Sequence, residues 1–244
     1  MTWPAWTIVG LFGLLLFAAF ARSVMNNPRR EFEAGLIWRG LEVYSALFHH
    51  VRVIGVENVP PTWSPGPLII VINHTAGIDP VLLQSICPFE IRWMMTTDMR
   101  LPGLEWLWRY AHIIFVDHKG SDVSGAREAI RHVKAGGVLG IFPEGGLERP
   151  RRHIMPFEPG VGLIVRRTGA PVLCAVVQGT PEVEPAWASL WHFSQSRVAF
   201  KPPIDYRATK LSAEEIASDL RRRYSEWTGW PIAERAEAPA TAHP

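Results

Sequence analysis

The sequence predicts an α/β protein: a mixed, largely parallel sheet flanked by helices and preceded by a pair of N-terminal helices. Three observations carry this. From Val51 onward, short β-prone runs alternate with helical segments, the pattern of a sheet layered with helices. Before Val51 lie an apolar run without a charged residue, 5–21, and a segment of helical periodicity, 32–48. The 244 residues are enough for one large domain and a small appendage. The expected divisions are a helix pair over 1–50, a main domain over 51–230 and a tail over 231–244. The final stretch AERAEAPATAHP lacks aromatic and branched apolar residues and is predicted to be disordered.

Residues 5–21, AWTIVGLFGLLLFAAFA, would form a helix about 25 Å long at about 1.5 Å per residue, against a hydrocarbon core of about 30 Å. Arg22, Arg29 and Arg30 follow it, and no basic residue precedes it. Ala19-Phe20-Ala21 resembles a signal-peptide cleavage site, but a signal peptide carries its positive charge ahead of the apolar run. The pattern favours a retained anchor over 5–21, with the following domain on the cytoplasmic face of the inner (plasma) membrane. Next, REFEAGLIWRGLEVYSALFHHVRV sets Phe32, Leu36, Leu41, Tyr44 and Phe48 near one face of an amphipathic helix. Such a helix suits packing on the core or lying along a bilayer.

Strands are predicted over 51–56, 68–73, 91–95, 113–117, 138–142, 171–177 and 197–200, with helices over 80–86, 104–110, 124–135 and 160–167. A last helix over 213–227 opens on Ser212 with Glu215 at the capping-box spacing. Ile216, Leu220, Tyr224 and Trp227 stripe its inner face.

Composition excludes some classes. A net charge of +2 and a pI near 8.7 are too mild for a nucleic-acid partner, which leaves a strongly basic footprint. Cys87 and Cys174 stand far apart without metal-ligand spacing, so neither a disulfide framework nor a zinc site is expected. Eleven tryptophans suit core packing or a membrane interface.

The stretch LIIVINHTAGIDPVLL, 68–83, places His74 where a buried strand leaves its sheet, the position at which open α/β folds present ligand-binding groups. Asp79-Pro80 reads as helix punctuation, an N-cap followed by proline. It also reads as a carboxylate for the imidazole, provided the TAGI between them turns; Gly77 permits that. A carboxylate on one imidazole nitrogen fixes the tautomer and leaves the other nitrogen as a general base. The chain contains no GxSxG elbow, so the nucleophile is expected to be a hydroxyl of the substrate.

NHTAGIDP resembles the NHx4D motif of the lysophosphatidate acyltransferase family of membrane glycerolipid acyltransferases. VIGVENVP, IIFVDHKG, FPEGG and FEPGVGLIVRRTGAPVLCAVVQGT resemble that family's further blocks, in order, over roughly 51–180. The resemblance implies a glycerolipid acyltransferase-like fold, with His74 as base toward the acceptor hydroxyl and Asp79 as its support. It implies acceptor-binding roles for Glu144, Gly145 and Gly146 of the third block and for Asp117, His118 and Lys119 of the second. Where the family usually reads Phe-Pro-Glu-Gly-Thr-Arg, this chain has Gly146 and Leu147 in place of threonine and arginine. Arg149, Arg151 or Arg152 would then grip a phosphate instead, or RPRRH is a solvated basic loop.

No metal or redox cofactor is implied; acyl-CoA or acyl carrier protein would serve as co-substrate. The expected reaction is acyl transfer to a lysophospholipid, most simply 1-acyl-glycerol-3-phosphate to give phosphatidate. An alternative acceptor is a lyso-aminolipid such as lyso-ornithine lipid, or another hydroxylated lipid. Two other classes compete: a thioesterase, in which water replaces the lipid hydroxyl, and a catalytically silent membrane-binding module. The expected partners are a lysolipid acceptor, the acyl donor and membrane lipids, with no nucleic acid.

Overall fold

A computed structural model of the chain describes residues 3–117 and 124–233. Its sheet is built from β1 (Arg52–Ile54), β2 (Leu68–Ile72), β3 (Arg92–Thr96), β4 (Ile114–Val116), β5 (Val138–Ile141), β6 (Val172–Gln178) and β7 (Arg197–Phe200). Their order across the sheet is β1-β7-β6-β2-β5-β3-β4. All neighbouring pairs are parallel except β6 and β7, which are antiparallel. The sheet is thus mixed and largely parallel, as the alternation predicts. The chain leaves β2, β5 and β6 at one end of the sheet, and β1 and β7 start at that same end.

β2 is buried along its whole length, which is why it reads as an unbroken apolar run. Its alternate side chains serve two cores. Ile69 and Val71 point to the layer of α5 (Ser124–Lys134), α6 (Pro159–Thr168) and α7 (Ala213–Thr228). Leu68, Ile70 and Ile72 point to the layer of α3 (Asp79–Ile86), with α2 (Phe32–Phe48) beyond it. α4 (Glu105–Tyr110) lies between β3 and β4. α7 has the expected capping box of Ser212 and Glu215. Its fully buried Tyr224 donates its hydroxyl proton to the Val71 carbonyl at 2.6 Å, tying helix to sheet.

α1 (Trp3–Met25) stands clear of the domain. Trp6–Met25 is long and apolar enough to cross a membrane, with a mean hydropathy of 2.1 and only 6% of its apolar window buried. It meets α2 through a tight bend. Asn27 donates its amide to the carbonyls of Val24 and Glu31, both at 2.8 Å. A Cβ on Gly35 would lie 1.8 Å from the Val24 carbonyl oxygen, so only glycine permits this crossing.

Two expectations change. The α2 stripe divides: Tyr44 and Phe48 turn inward, while Phe32 and Leu36 are exposed alongside Val43 and Leu47. Steps of about 100° per residue carry the first two of the expected set away from the last. At the C-terminus the paired chain runs past 231, since the Ile154 amide donates to Pro231 (2.9 Å) and the Ala233 amide to Ile154 (3.0 Å). Residues 234–244, the rest of the predicted tail, lie outside the described residues.

Candidate active site

Three central strands, β2, β5 and β6, deliver the site at their C-terminal ends, where open α/β sheets form their crevices. Asn73 ends β2. Its side-chain amide exchanges two hydrogen bonds with the Val177 backbone, at 2.9 and 2.8 Å, extending the ladder by one residue through a side chain. The chain then turns, and α3 begins at Asp79. Gly77 sits inside that turn because a Cβ there would lie 2.6 Å from the Ala186 carbonyl oxygen. That oxygen belongs to a 3₁₀ segment, Ala186–Trp191.

The turn brings His74 and Asp79 together. His74 Nδ1 lies 3.0 Å from Asp79 Oδ2, with the carboxylate fully buried and the imidazole 12% exposed. Asp79 makes no capping bond to α3. It faces back into the turn instead, where Oδ2 accepts from the Thr75 and Ala76 amides at 2.7 and 2.9 Å. Oδ1 accepts from the Thr75 hydroxyl at 3.1 Å. Three N–H or O–H donors besides the imidazole therefore hold the carboxylate in one orientation. With Nδ1 turned to Asp79, Nε2 is the nitrogen left for chemistry. The ring stacks on Phe142 at 4.0 Å, and Phe142 on Trp93 at 5.4 Å, an apolar wall that fixes the imidazole plane.

The FPEGG block and the two residues after it clamp the His74 main chain from both sides. Glu144 Oε2 accepts from the His74 amide at 2.8 Å, and the Glu148 amide donates to the His74 carbonyl at 2.9 Å. Among the described residues, Glu144 Oε1 and Glu148 Oε2 are enclosed and find no hydrogen-bond partner. Burial pushes the Glu144 carboxyl well up, against the opposing pull of the His74 amide. Burial likewise raises Glu148 to about 7, with Asp79 and Glu182 adding to it and the Arg152 amide opposing.

The remaining expected acceptor residues are spread over the same end of the sheet. Gly145 takes φ of 71°, the left-handed turn that ends β5, and Gly146 has open space where a side chain would be. Arg149 donates to the Glu148 carbonyl at 2.6 Å and is ion-paired with Glu184. Arg151 and Arg152 lie 3.5 and 3.6 Å from Glu182. The basic loop is thus engaged by an acidic arm that follows β6. Asp117 follows β4, three strands from β2, a lateral offset of about 14 Å at the usual strand spacing. His118 and Lys119 lie outside the described residues. Among the described residues no group of three or more His, Cys, Asp or Glu side chains stands together as a metal site.

Sequence reasoning missed Thr75, Thr180, Phe142 and Glu148. The hydroxyls of Thr75 and Thr180 lie 2.6 Å apart, joining the end of β6 to the Asp79 cradle. Nothing local in a lone threonine signals this, because the two are 105 residues apart in sequence.

A family model described as Acyltransferase matches residues 50–178. A 1-acyl-sn-glycerol-3-phosphate acyltransferase of Borreliella burgdorferi is 30% identical over 134 residues, 53% of this chain and 52% of that protein. A protein of the same name from Bacillus subtilis is 27% identical over 143 residues, 57% of this chain and 68% of its own length. The matched part therefore spans about half of the first relative and about two thirds of the second. Among solved structures, the 1-acyl-sn-glycerophosphate (LPA) acyltransferase PlsC from Thermotoga maritima superposes with a TM-score of 0.65 at 24% identity. That alignment covers 90% of this chain and 87% of the other, and shows a shared fold.

Proposed function

The chain belongs to the Acyltransferase family, and from that premise we propose that it moves a fatty acyl group from a thioester to the hydroxyl of a lysophospholipid. The simplest acceptor is 1-acyl-glycerol-3-phosphate, giving phosphatidate; the two relatives carry that acceptor in their names. The observation that supports the reading best is the His74–Asp79 pair at 3.0 Å, with the carboxylate buried in donors.

His74 Nε2 accepts the proton of the acceptor hydroxyl as its oxygen bonds to the thioester carbonyl carbon. The imidazolium is stabilised by Asp79. The tetrahedral intermediate then expels the thiolate, which takes the proton from Nε2, so the histidine returns neutral. A thioester is already activated, so general-base help and positioning suffice. Acyl-CoA or acyl carrier protein supplies it. Trp6–Met25 anchors the chain in the membrane, and the basic residues after it favour the cytoplasmic face.

One observation favours a second acceptor. Leu147 stands at the family's arginine position, and Arg149, Arg151 and Arg152 are held by Glu182 and Glu184. A lyso-aminolipid such as lyso-ornithine lipid makes less demand on free guanidinium groups than a phosphomonoester does.

The deciding assay offers purified protein a panel of lysolipids with labelled acyl-CoA and acyl carrier protein donors. Acylated lipid is the expected product; free fatty acid alone would assign hydrolysis instead. His74→Ala is expected to lower turnover by ~10² to 10⁴ while the thermal unfolding transition persists. Asp79→Asn is expected to reduce kcat more than it raises KM. Full turnover in His74→Ala would remove the imidazole from the mechanism.

A further inference from the structure

Trp191 and Phe193 are 77% and 71% exposed, more than any described large apolar side chain of α1. They are not on a frayed loop. Phe193 stacks flat on Phe48, the last residue of α2, at 4.8 Å and 4°. The Ser194 amide donates to the Phe48 carbonyl at 3.0 Å, and the Ser196 amide to the His49 carbonyl at 2.9 Å. His49, fully buried, holds the Ser194 hydroxyl with Nδ1 at 2.8 Å. Two large aromatic side chains are therefore held outward by a fixed backbone, which is costly in water unless something covers them.

A second observation lies at the same end of the sheet. Arg52 and Arg197 are opposed in register on β1 and β7, both exposed. Like charges directly opposite each other disfavour a strand pair. Among the described residues, neither has an acidic partner. Such a pair becomes favourable when phosphate groups lie over it.

We propose that the active-site end of the sheet seats on an anionic lipid bilayer, with Trp191 and Phe193 inserting at the interface and the Arg52–Arg197 pair meeting lipid phosphates. This goes beyond the α1 anchor and rests on the membrane reading above. Aromatic rings beside arginine match the chemistry of a membrane–water interface. A second copy of the chain fits less well, because a two-fold contact through this face would bring arginine pairs toward each other. Seating also places the reaction where a lysolipid resides. The 3₁₀ segment that ends at Trp191 packs its Ala186 carbonyl onto Gly77, within the turn between His74 and Asp79.

The test uses the full chain with His192→Cys carrying an environment-sensitive maleimide fluorophore; Cys87 and Cys174 are buried and do not compete for the label. The probe sits between Trp191 and Phe193 and leaves both intact. A blue shift is expected on vesicles containing phosphatidylglycerol. With Arg52→Gln and Arg197→Gln together, the seated state is expected to weaken about 30-fold. A probe at Lys210→Cys, at the far face ahead of α7, is expected not to shift. An unshifted probe at 192 on a chain that still floats with the vesicles would overturn the seat and leave the anchor standing. A shift of equal size on pure phosphatidylcholine, unaffected by the arginine changes, would overturn it too. So would a shift in lipid-free detergent that grows with protein concentration, which assigns the face to a second copy. A chain that floats with neither vesicle removes the membrane reading and the seat together.

Discussion

At the scale of single residues, the site is organised around keeping one imidazole still. Asp79 fixes its tautomer, Phe142 its plane and Glu144 with Glu148 its main chain. Thr180 acts one step further out: its hydroxyl meets the Thr75 hydroxyl at 2.6 Å, and Thr75 holds Asp79 Oδ1 at 3.1 Å. Thr180 is thus a positioning residue. Thr180→Val is expected to lower kcat several-fold with KM little changed and to move the apparent pKa of the pH–rate profile, while Thr180→Ser restores both. An unmoved profile in the valine variant would leave Thr180 only a packing role.

Glu148 offers a test in stability. Its folded pKa, about 7, lies above the ordinary carboxyl value of 4.5, so the fold binds this proton more tightly than the unfolded chain does. Its contribution is intact below about 4.5 and is lost as pH rises toward and past 7, by up to ~3 kcal/mol. Glu148→Gln is expected to raise Tm over the parent at pH 8 and to lose most of that gain at pH 5. Parallel melting curves at both pH values would place the proton elsewhere. His74 and Asp79 were legible because their spacing is local. The burial of Glu144 and Glu148 was not, since a loop of polar letters reads as solvated until the fold wraps it around the His74 peptide.

At the scale of elements, the strands were legible to within a residue or two at each end, and β7 as stated, because apolar β-branched runs need no partner to be seen. The 3₁₀ segment Ala186–Trp191 was not. Six residues are too few for a period to emerge, and its place on Gly77 is set by tertiary contact. The α1–α2 pair was legible as two helices but not as a fixed hairpin. Arg29, read as a flanking charge, is ion-paired with Glu90 and donates to the Tyr110 carbonyl at 2.7 Å, so it fastens the bend to the domain. Gly35 tests that fixed crossing. Gly35→Ala would drive a Cβ into the Val24 carbonyl, whereas Gly40 in the same helix has nothing within 4 Å. Limited proteolysis is expected to cut Gly35→Ala faster over residues 26–31. Gly40→Ala should be unaffected or steadier, by about 1 kcal/mol of helix propensity. Equal cleavage of both variants would mean that the crossing opens without cost.

At the scale of the whole molecule, what the sequence could not supply was which ends meet. β1 pairs with β7 from the far end of the domain, and the arm after β6 reaches the loop after β5. That second meeting sets ion pairs between the 149–152 loop and Glu182 and Glu184, and it is where the proposed acceptor reading can be tested. Arg149 is ion-paired with Glu184 across 35 residues, and both side chains remain substantially exposed, at 40% and 60%. An exposed pair of this kind is worth only about 0.2–1 kcal/mol. A phosphomonoester, with two negative charges and three acceptor oxygens, can therefore displace the carboxylate. The two partners then act with opposite sign on a phosphorylated lysolipid. Arg149→Ala is expected to raise its KM, since a guanidinium is lost. Glu184→Gln is expected to lower it by up to about five-fold, since the competing carboxylate is removed. Neither change should alter KM for an uncharged lysolipid, because no phosphate competes there. Steady-state kinetics on the paired acceptors measures this directly, and a Glu184→Gln enzyme with unchanged KM for the phosphorylated lipid would place its head group away from the 149–152 loop.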